Sequence, residues 1–464
     1  MTKARRYQRT GIRKIERKFN CRCLLADEMG LGKTFQALKV MQRNKRFMLP
    51  TVVICPAPLK YNWAEEAAKH VGMHAEILEG RSPEKFQQGW RTSDLLIINF
   101  EILGAWLPVL RQIDPQLIIV DEAHRIKNRS ADCTKHVKKL ARYCPYILML
   151  SGTPLTNEPG ELFTVLNILW PEKFNSYWSF AQRYTNAEMK PWGWQFKGAK
   201  NLPELHTDLL EIGMLRRKKK DVLKELPPVN MNVLPIRLSK PKMREYRKAK
   251  NDFLNWLGQR SKAKAVKAAK AARLVKVGYL RRLAASSKMT DVKRWIDSFL
   301  EETDEKIIVF GIHHDILEPL HEKYKKQSVL IDGNVTGQKR HARLTEFKKL
   351  KEKRLAFCNY RSGGVGLNMQ EASTVLCVEL PWTPTELDQA ISRAHRMGQK
   401  NSVNVYVLVS EDTIEERLCR ILQDKQFISD SILDGVVDEK QATLKVFDQL
   451  ELELAKEAKV KGLK

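Results

Sequence analysis

Nothing in this 464-residue chain approaches the ~18–20 consecutive apolar residues that a membrane-crossing helix needs. The basic opening MTKARRYQRT leads into no apolar segment, so it does not read as a secretory leader. Paired cysteines are missing too. None of the eight forms a CxxC, and no further Cys or His beside Cys21 and Cys23 completes a zinc set. Several of the others sit in apolar runs, where a reduced thiol acts as a small hydrophobe. Repeats and low-complexity tracts are absent, and acid is scarce: 54 Asp+Glu face 82 Lys+Arg, a formal charge of +28. These absences exclude a membrane-spanning protein and a disulfide scaffold. They point to an intracellular, cytoplasmic protein, nuclear if its source is eukaryotic. The surplus of base favours a polyanionic partner, because neutralising phosphates releases condensed counterions. A basic but merely solvated surface is the alternative.

What is present is a recurrent pattern of short apolar runs. In the first half they are Cys23–Ala26, Thr51–Cys55, Leu95–Asn99, Leu117–Val120 and Ile147–Leu150, separated by charged segments of helix length. In the second half they are Lys306–Phe310, Ser328–Ile331, Leu355–Asn359, Thr374–Val378 and Val403–Val409. Such runs predict buried parallel strands covered by helices on both faces, hence an α/β chain. The length is too great for one core, so two lobes are expected. Between them, amphipathic helical sequence (Leu162, Val165, Leu166, Leu169) leads into an aromatic, loop-like segment near Tyr177–Phe196. The pair Pro227-Pro228 marks the lobe boundary. The expected division is 1–226 with a helical insertion from about 159, a basic helical linker 227–302, a second lobe 303–434 and a charged helical tail 435–464. Within the linker Lys264, Lys267, Lys270, Arg273 and Lys276 recur every third residue, winding a cationic stripe around a helix. Phosphate tracking and simple solvation both fit it.

Two motifs carry chemistry. DEMGLGKT, Asp27 to Thr34, follows an apolar run and precedes a helical segment. There Gly30 and Gly32 let backbone amides close around phosphate oxygens at a helix N-terminus. Lys33 would reach the β/γ-phosphates and the Thr34 hydroxyl would ligate Mg²⁺. The strict pattern has glycine where this chain has Asp27, and a glycine-rich turn is the alternative. The second motif is Asp121-Glu122-Ala123-His124 at the end of the run Leu117–Val120. Asp121 would sit in the Mg²⁺ shell, and Glu122 would orient or deprotonate the attacking water. Alone, two acids could equally cap the next helix.

With these motifs the chain resembles the Swi/Snf-type translocases of helicase superfamily two, from about Tyr7 to Asp434. The resemblance implies two RecA-like lobes and accounts for Asp27 among the residues around the nucleotide. Tyr7, Gln8 and Gly11 resemble the glutamine motif, implying that Gln8 reads the adenine. CPAPLKYNW (Pro56, Lys60, Trp63) and INFEIL (Asn99) resemble DNA-contacting motifs. LSGTPLTN is similar to the coupling motif, with Ser151 and Thr153 bonding the acidic motif or DNA. MLRRKKKDV matches the exit segment of the first lobe. SGGVGLNMQEA resembles the glycine motif, with Gly364 and Gly366 at the nucleotide and Ser362 at DNA. QAISRAHRMGQ resembles the arginine motif: Gln389 joins the nucleotide site, and Arg393 and Arg396, three apart on a helix, point at the γ-phosphate. Trp382 is a further DNA candidate. IIVFGIHHDIL and Leu274–Leu283 look like the annealing-helicase branch of a bacterial or phage motor. His313-His314 lacks a second ligand cluster and reads as strand-end structure, not zinc.

The expected activity is a DNA-dependent ATPase, using ATP and Mg²⁺, that moves as a monomer along double-stranded or branched DNA. A strand-separating helicase on DNA or RNA and an ATP-gated DNA clamp are the alternatives.

Overall fold

The computed structural model describes residues 3–85, 93–152, 154, 159–191, 193–258, 277–333, 335, 337–360 and 367–422. The chain divides into two compact units, one running to Leu226 and the other starting at Pro227. The first unit holds strands β1 (Arg22–Leu25), β2 (Thr51–Cys55), β3 (Glu76–Ile77), β4 (Leu95–Asn99), β5 (Leu117–Asp121) and β6 (Tyr146–Leu150). A hairpin, β7 (Asn186–Lys190) and β8 (Gly193–Lys197), and a short strand, β9 (Met214–Leu215), follow. Seven of these form one sheet in the order β3-β4-β2-β5-β6-β1-β9, and every pairing in it is parallel. Because the strands run the same way, the turns after Leu25, Cys55, Asn99, Asp121 and Leu150 gather along one edge, where such sheets bind ligands.

The apolar runs become strands because alternate side chains enter layers on both faces. Ile118 and Val120 of β5 join a core with Trp106, Leu110, Val137 and Leu140. Each such side chain contributes roughly 1.5–3 kcal/mol by leaving water. Every cysteine is a free thiol, and six of the eight are buried. Among the described residues no helix is long and apolar enough to cross a membrane.

The second unit contains β10 (Val229–Ile236), β11 (Lys306–Gly311), β12 (Ser328–Ile331), β13 (Leu355–Asn359), β14 (Ala372–Cys377) and β15 (Val403–Ser410). They form a second parallel sheet in the order β10-β15-β14-β11-β13-β12. The α/β architecture expected from the runs is therefore present in both units.

Two segments differ from expectation. The stretch after Pro227-Pro228 is not wholly helical, since β10 forms an edge of the second sheet, paired along its length with β15. Its pattern VNMNVLPI carries two asparagines and Pro235, which an edge strand tolerates. The aromatic segment 177–196 is not a loop. It forms a helix, Tyr177–Tyr184, capped by the Ser176 hydroxyl accepting from Ser179 N, and then the β7–β8 hairpin. Its rings supply the cohesion that the sparse aliphatic content does not: Phe163 packs on Tyr177 and Phe180, and Tyr177 on Phe196. The cationic stripe at 264–276 and the tail beyond 422 lie outside the described residues.

Candidate active site

The turn after β1 is shaped by two left-handed glycines, Gly30 (φ 86°) and Gly32 (φ 74°), where any side chain would be strained. Gly32 caps the helix Lys33–Arg43, so the first helical amides open toward the turn. Lys33 Nζ donates to the carbonyl of Asp27 at 2.8 Å. Burial lowers the Lys33 pKa, while Glu122, Asp27 and Asp121 pull it back up. The lysine after β1 and the acids at the end of β5 thus lie near enough to act on one another electrostatically. Gly152 lies against the lysine: a Cβ there would meet Met29 Cγ at 2.5 Å and Lys33 Nζ at 3.1 Å. Sequence reasoning passed over this glycine for its neighbours Ser151 and Thr153. The available signal was a glycine two residues after the apolar strand end at Leu150.

Asp121 is buried, and its two oxygens accept from Trp63 Nε1 at 2.8 Å and from Glu122 N at 2.9 Å. Burial, then the charge of Glu122, pushes its pKa up to about 7, against the opposing hydrogen bond from Trp63. A buried carboxylate so short of compensating charge suits a divalent cation. Mg²⁺ is usually held by one or two carboxylates together with phosphate oxygens. Among the described residues no group of three or more His, Cys, Asp or Glu could hold a metal ion unaided. Thr34, the other residue expected at the metal, is half-buried at the second position of the helix Lys33–Arg43.

Glu122 adopts φ 51°, an unusual conformation for a residue with a side chain, costing about 1–3 kcal/mol. Its side chain does not cap the turn Ala123–Ile126 that follows, which removes the capping alternative. Instead a carboxylate oxygen lies 3.3 Å from His124 Nδ1, and the same nitrogen lies 3.3 Å from Ser151 Oγ. His124 therefore links the end of β5 to the end of β6. Ser151 is buried, so its hydroxyl serves this link and not a DNA surface.

A brace stands behind the turn, built from residues about 190 positions later. Arg217 Nε donates to Asp27 Oδ1 at 2.9 Å; Nη2 bonds Oδ2 and, at 2.7 Å, Gln36 Oε1, while Nη1 bonds the carbonyl of Tyr7. Gln36 Nε2 completes the set by donating to Asp27 Oδ2 at 2.9 Å. Gly11 is required by this packing, since a Cβ there would meet Gln36 Oε1 at 2.5 Å and Arg217 Nη1 at 2.8 Å. Arg216 Nη1 donates to the carbonyls of Ala26 (2.8 Å) and Gly152 (3.0 Å). The expectation that Asp27 contacts nucleotide is corrected for its side chain: the fully buried carboxylate is taken by Arg217 and Gln36, and only its carbonyl meets Lys33. Gln8 is buried as well, its amide spanning Arg5 N at 2.9 Å and the Leu31 carbonyl at 3.3 Å.

Several expected DNA contacts face inward. Trp63 is buried with its indole on Asp121. Lys60 is buried and donates to the Leu78 carbonyl at 3.0 Å, and Pro56 is also buried. Lys60, Trp63, Ala67 and Val71 share the inner face of the helix Lys60–Val71, which explains why the motif packs on the sheet. Asn99 Nδ2 donates to Glu101 Oε2 at 2.7 Å, and Glu101 pairs with Arg125 at 3.1 Å. Trp382 carries the Arg281 guanidinium 3.8 Å from its ring centroid, so one ring face is covered. Thr153, Ser362, Gly364 and Gly366 lie outside the described residues.

In the second unit the arginine motif ends a helix, Pro384–Ala394, capped by Thr383 Oγ1 accepting from Glu386 N at 3.3 Å. Arg396 falls beyond that helix, so the shared helical face expected for the two arginines does not exist. Their guanidinium groups still converge, since Arg393 Nη1 and Arg396 Nη1 lie 3.2 and 3.5 Å from the Leu367 carbonyl. Arg393 is buried, with Nε on the Gln389 carbonyl at 2.9 Å; Arg396 is half-buried. Gln389 itself is buried. His313 bonds buried Glu379, which also accepts from Ile312 N (2.7 Å) and His313 N (3.0 Å).

Residues 7–300 match the model of the SNF2-related domain, and residues 287–398 match that of the helicase conserved C-terminal domain. The chain belongs to the SNF2-related family. This SNF2-related chain is 31% identical over 441 residues to the human DNA annealing helicase and endonuclease ZRANB3, covering 92% of the chain and 40% of that protein. It is 29% identical over 449 residues to an uncharacterized ATP-dependent helicase of Mycoplasma genitalium, covering 91% of the chain and 41% of that protein. It therefore spans about two fifths of the length of the curated relatives it matches. The Sulfolobus solfataricus SWI2/SNF2 ATPase core, solved in complex with dsDNA, aligns over 99% of this chain and 97% of its own at 24% identity and TM-score 0.44.

Proposed function

We propose that this chain is a DNA-dependent ATPase that translocates along double-stranded DNA and remodels or anneals DNA structures, working as a monomer. The observation that carries the reading is the electrostatic proximity of Lys33, Asp121 and Glu122 at the strand ends, with Gly152 against the lysine. Lys33 and the amides after Gly30 bind the β- and γ-phosphates. Thr34 and Asp121 would hold Mg²⁺, whose charge would offset that of the phosphate oxygens. Glu122 orients a water and accepts its proton as the new O–P bond forms and the bond from the γ-phosphorus to the bridging oxygen breaks.

DNA is held mainly through phosphates, which gives little sequence preference. The +28 charge supports that partner. The annealing activity is suggested by the printed name of the ZRANB3 relative. The test is the ATPase rate with duplex, single-stranded and forked DNA and RNA as separate activators. Duplex or forked DNA should stimulate most; no stimulation, or the largest from RNA, would overturn the proposal. Triplex displacement without strand displacement is expected, and strand separation would move the chain to the unwinding class.

A further inference from the structure

The β7–β8 hairpin and the helix Tyr177–Tyr184 before it carry a group of large apolar side chains that the nucleotide site does not use. Trp178, Trp194 and Met189 are 39%, 47% and 67% exposed. Trp194 stands opposite Met189 across the hairpin, and the Trp178 and Trp194 rings meet edge to face with centroids 4.9 Å apart. Trp194 and Phe196, two apart on β8, share a face and hold their rings within 13° of parallel, 6.5 Å between centroids. Tyr177 packs on Phe196 at 5.7 Å and on the buried Phe163 at 5.3 Å, fastening the group to the core of its unit. The exposed indoles are therefore held in place by packing and lose little freedom when a ligand stacks on them.

Scattered exposed aromatics are ordinary, but three large exposed side chains grouped on a small hairpin and the helix before it mark an interaction site. Charge indicates the occupant. Between Lys190 and Lys200 the sequence carries three cations, Lys190, Lys197 and Lys200, and no acid; Arg183, before them, is paired with Glu204. Flat exposed rings on a segment with a surplus of lysines match an unpaired nucleotide, whose base stacks while its phosphate is neutralised. Bases inside a duplex offer no such face. We propose that Trp178 and Trp194 stack the unpaired bases of branched DNA, so that the hairpin recognises forks and displaced strands. The inference rests on the DNA-translocase reading.

The test compares affinity of the full chain for forked DNA and for blunt duplex of equal length, by fluorescence anisotropy, alongside DNA-stimulated ATPase. In W178A/W194A, fork affinity should fall about tenfold and duplex affinity change by less than about twofold. W178F/W194F keeps two stacking rings and should restore most of the fork affinity. Equal loss on both DNAs, no loss on the fork, or no recovery with phenylalanine would overturn the hairpin proposal. Wild-type ATPase indifferent to every DNA would instead refute the translocase reading, while the anisotropy comparison would still decide the hairpin.

Discussion

In the first unit Asp27 is fully buried against Arg217; in the second, Lys288 is fully buried against Glu415 at 2.7 Å. The electrostatics are alike. Removing one partner of such a pair strands a charge without water and typically costs about 3–5 kcal/mol. What differs is the other end of each pair. The Asp27 carbonyl meets Lys33, so the first pair sets the floor of the phosphate turn. Lys288 bonds the Leu408 carbonyl of β15, and Glu415 accepts from Ser410 N at 2.9 Å, so the second pair ties helix to sheet and nothing more. A buried charge is thus a poor signpost to function by itself. Its contact with a loop that has work to do is the informative part.

The comparison can be sharpened from its catalytic end. Glu122→Gln should lower DNA-stimulated phosphate release by at least ~10²-fold, the usual share of a general base, and leave binding of a fluorescent ATP analogue intact. Normal turnover would remove Glu122 as the base. The two ion pairs then provide the direct contrast. Arg217→Ala and Glu415→Ala should each lower stability by about 3–5 kcal/mol in denaturant unfolding. Only Arg217→Ala should also raise KM for ATP, by about tenfold, a loss of roughly 1.4 kcal/mol. Equal effects of both variants on KM would erase the distinction.

A smaller change is expected from Trp63→Phe, which keeps the packing and removes one hydrogen bond to Asp121. A bond to a charged group is worth about 1.5–3 kcal/mol, so half-saturation by Mg²⁺ should rise about tenfold, read from ATPase against Mg²⁺ concentration. The least effect concerns Glu379. Burial pushes its pKa up, but the hydrogen bond and charge of His313 and the amides of His313 and Ile312 outweigh burial and hold it low. A depressed carboxylate adds stability above its unfolded pKa, about 4.3, that is lost as pH falls toward the folded value. Glu379→Gln should therefore flatten the dependence of Tm on pH below about pH 5. An unchanged slope would show that His313 contributes nothing there.

The ten apolar runs were legible as strands because full burial on both faces writes a continuous hydrophobic signal. Where burial is one-sided the signal fades, and β10, with Asn230, Asn232 and Pro235, looked like linker. The hairpin was obscured for another reason, since its cohesion comes from rings contributed by a neighbouring helix. At the site, the glycines and acids could be read because their chemistry is local in sequence. Arg216 and Arg217 could not, for a run of five cations looks like surface. Only the two-residue strand β9, paired with Leu24 and Leu25, brings them beside the phosphate turn. Trp63 shows the reverse: the helical spacing of Lys60, Trp63, Ala67 and Val71 was visible, yet family resemblance assigned the motif to DNA.

Phosphate release at saturating ATP and duplex DNA, compared between wild type and Lys33→Ala, bears most directly on the account. Loss of a half-buried cation proposed to meet the terminal phosphates should cost at least ~10²-fold in rate. A variant that hydrolyses ATP at the wild-type rate would contradict the assignment of Lys33, Asp121 and Glu122 to an ATP site.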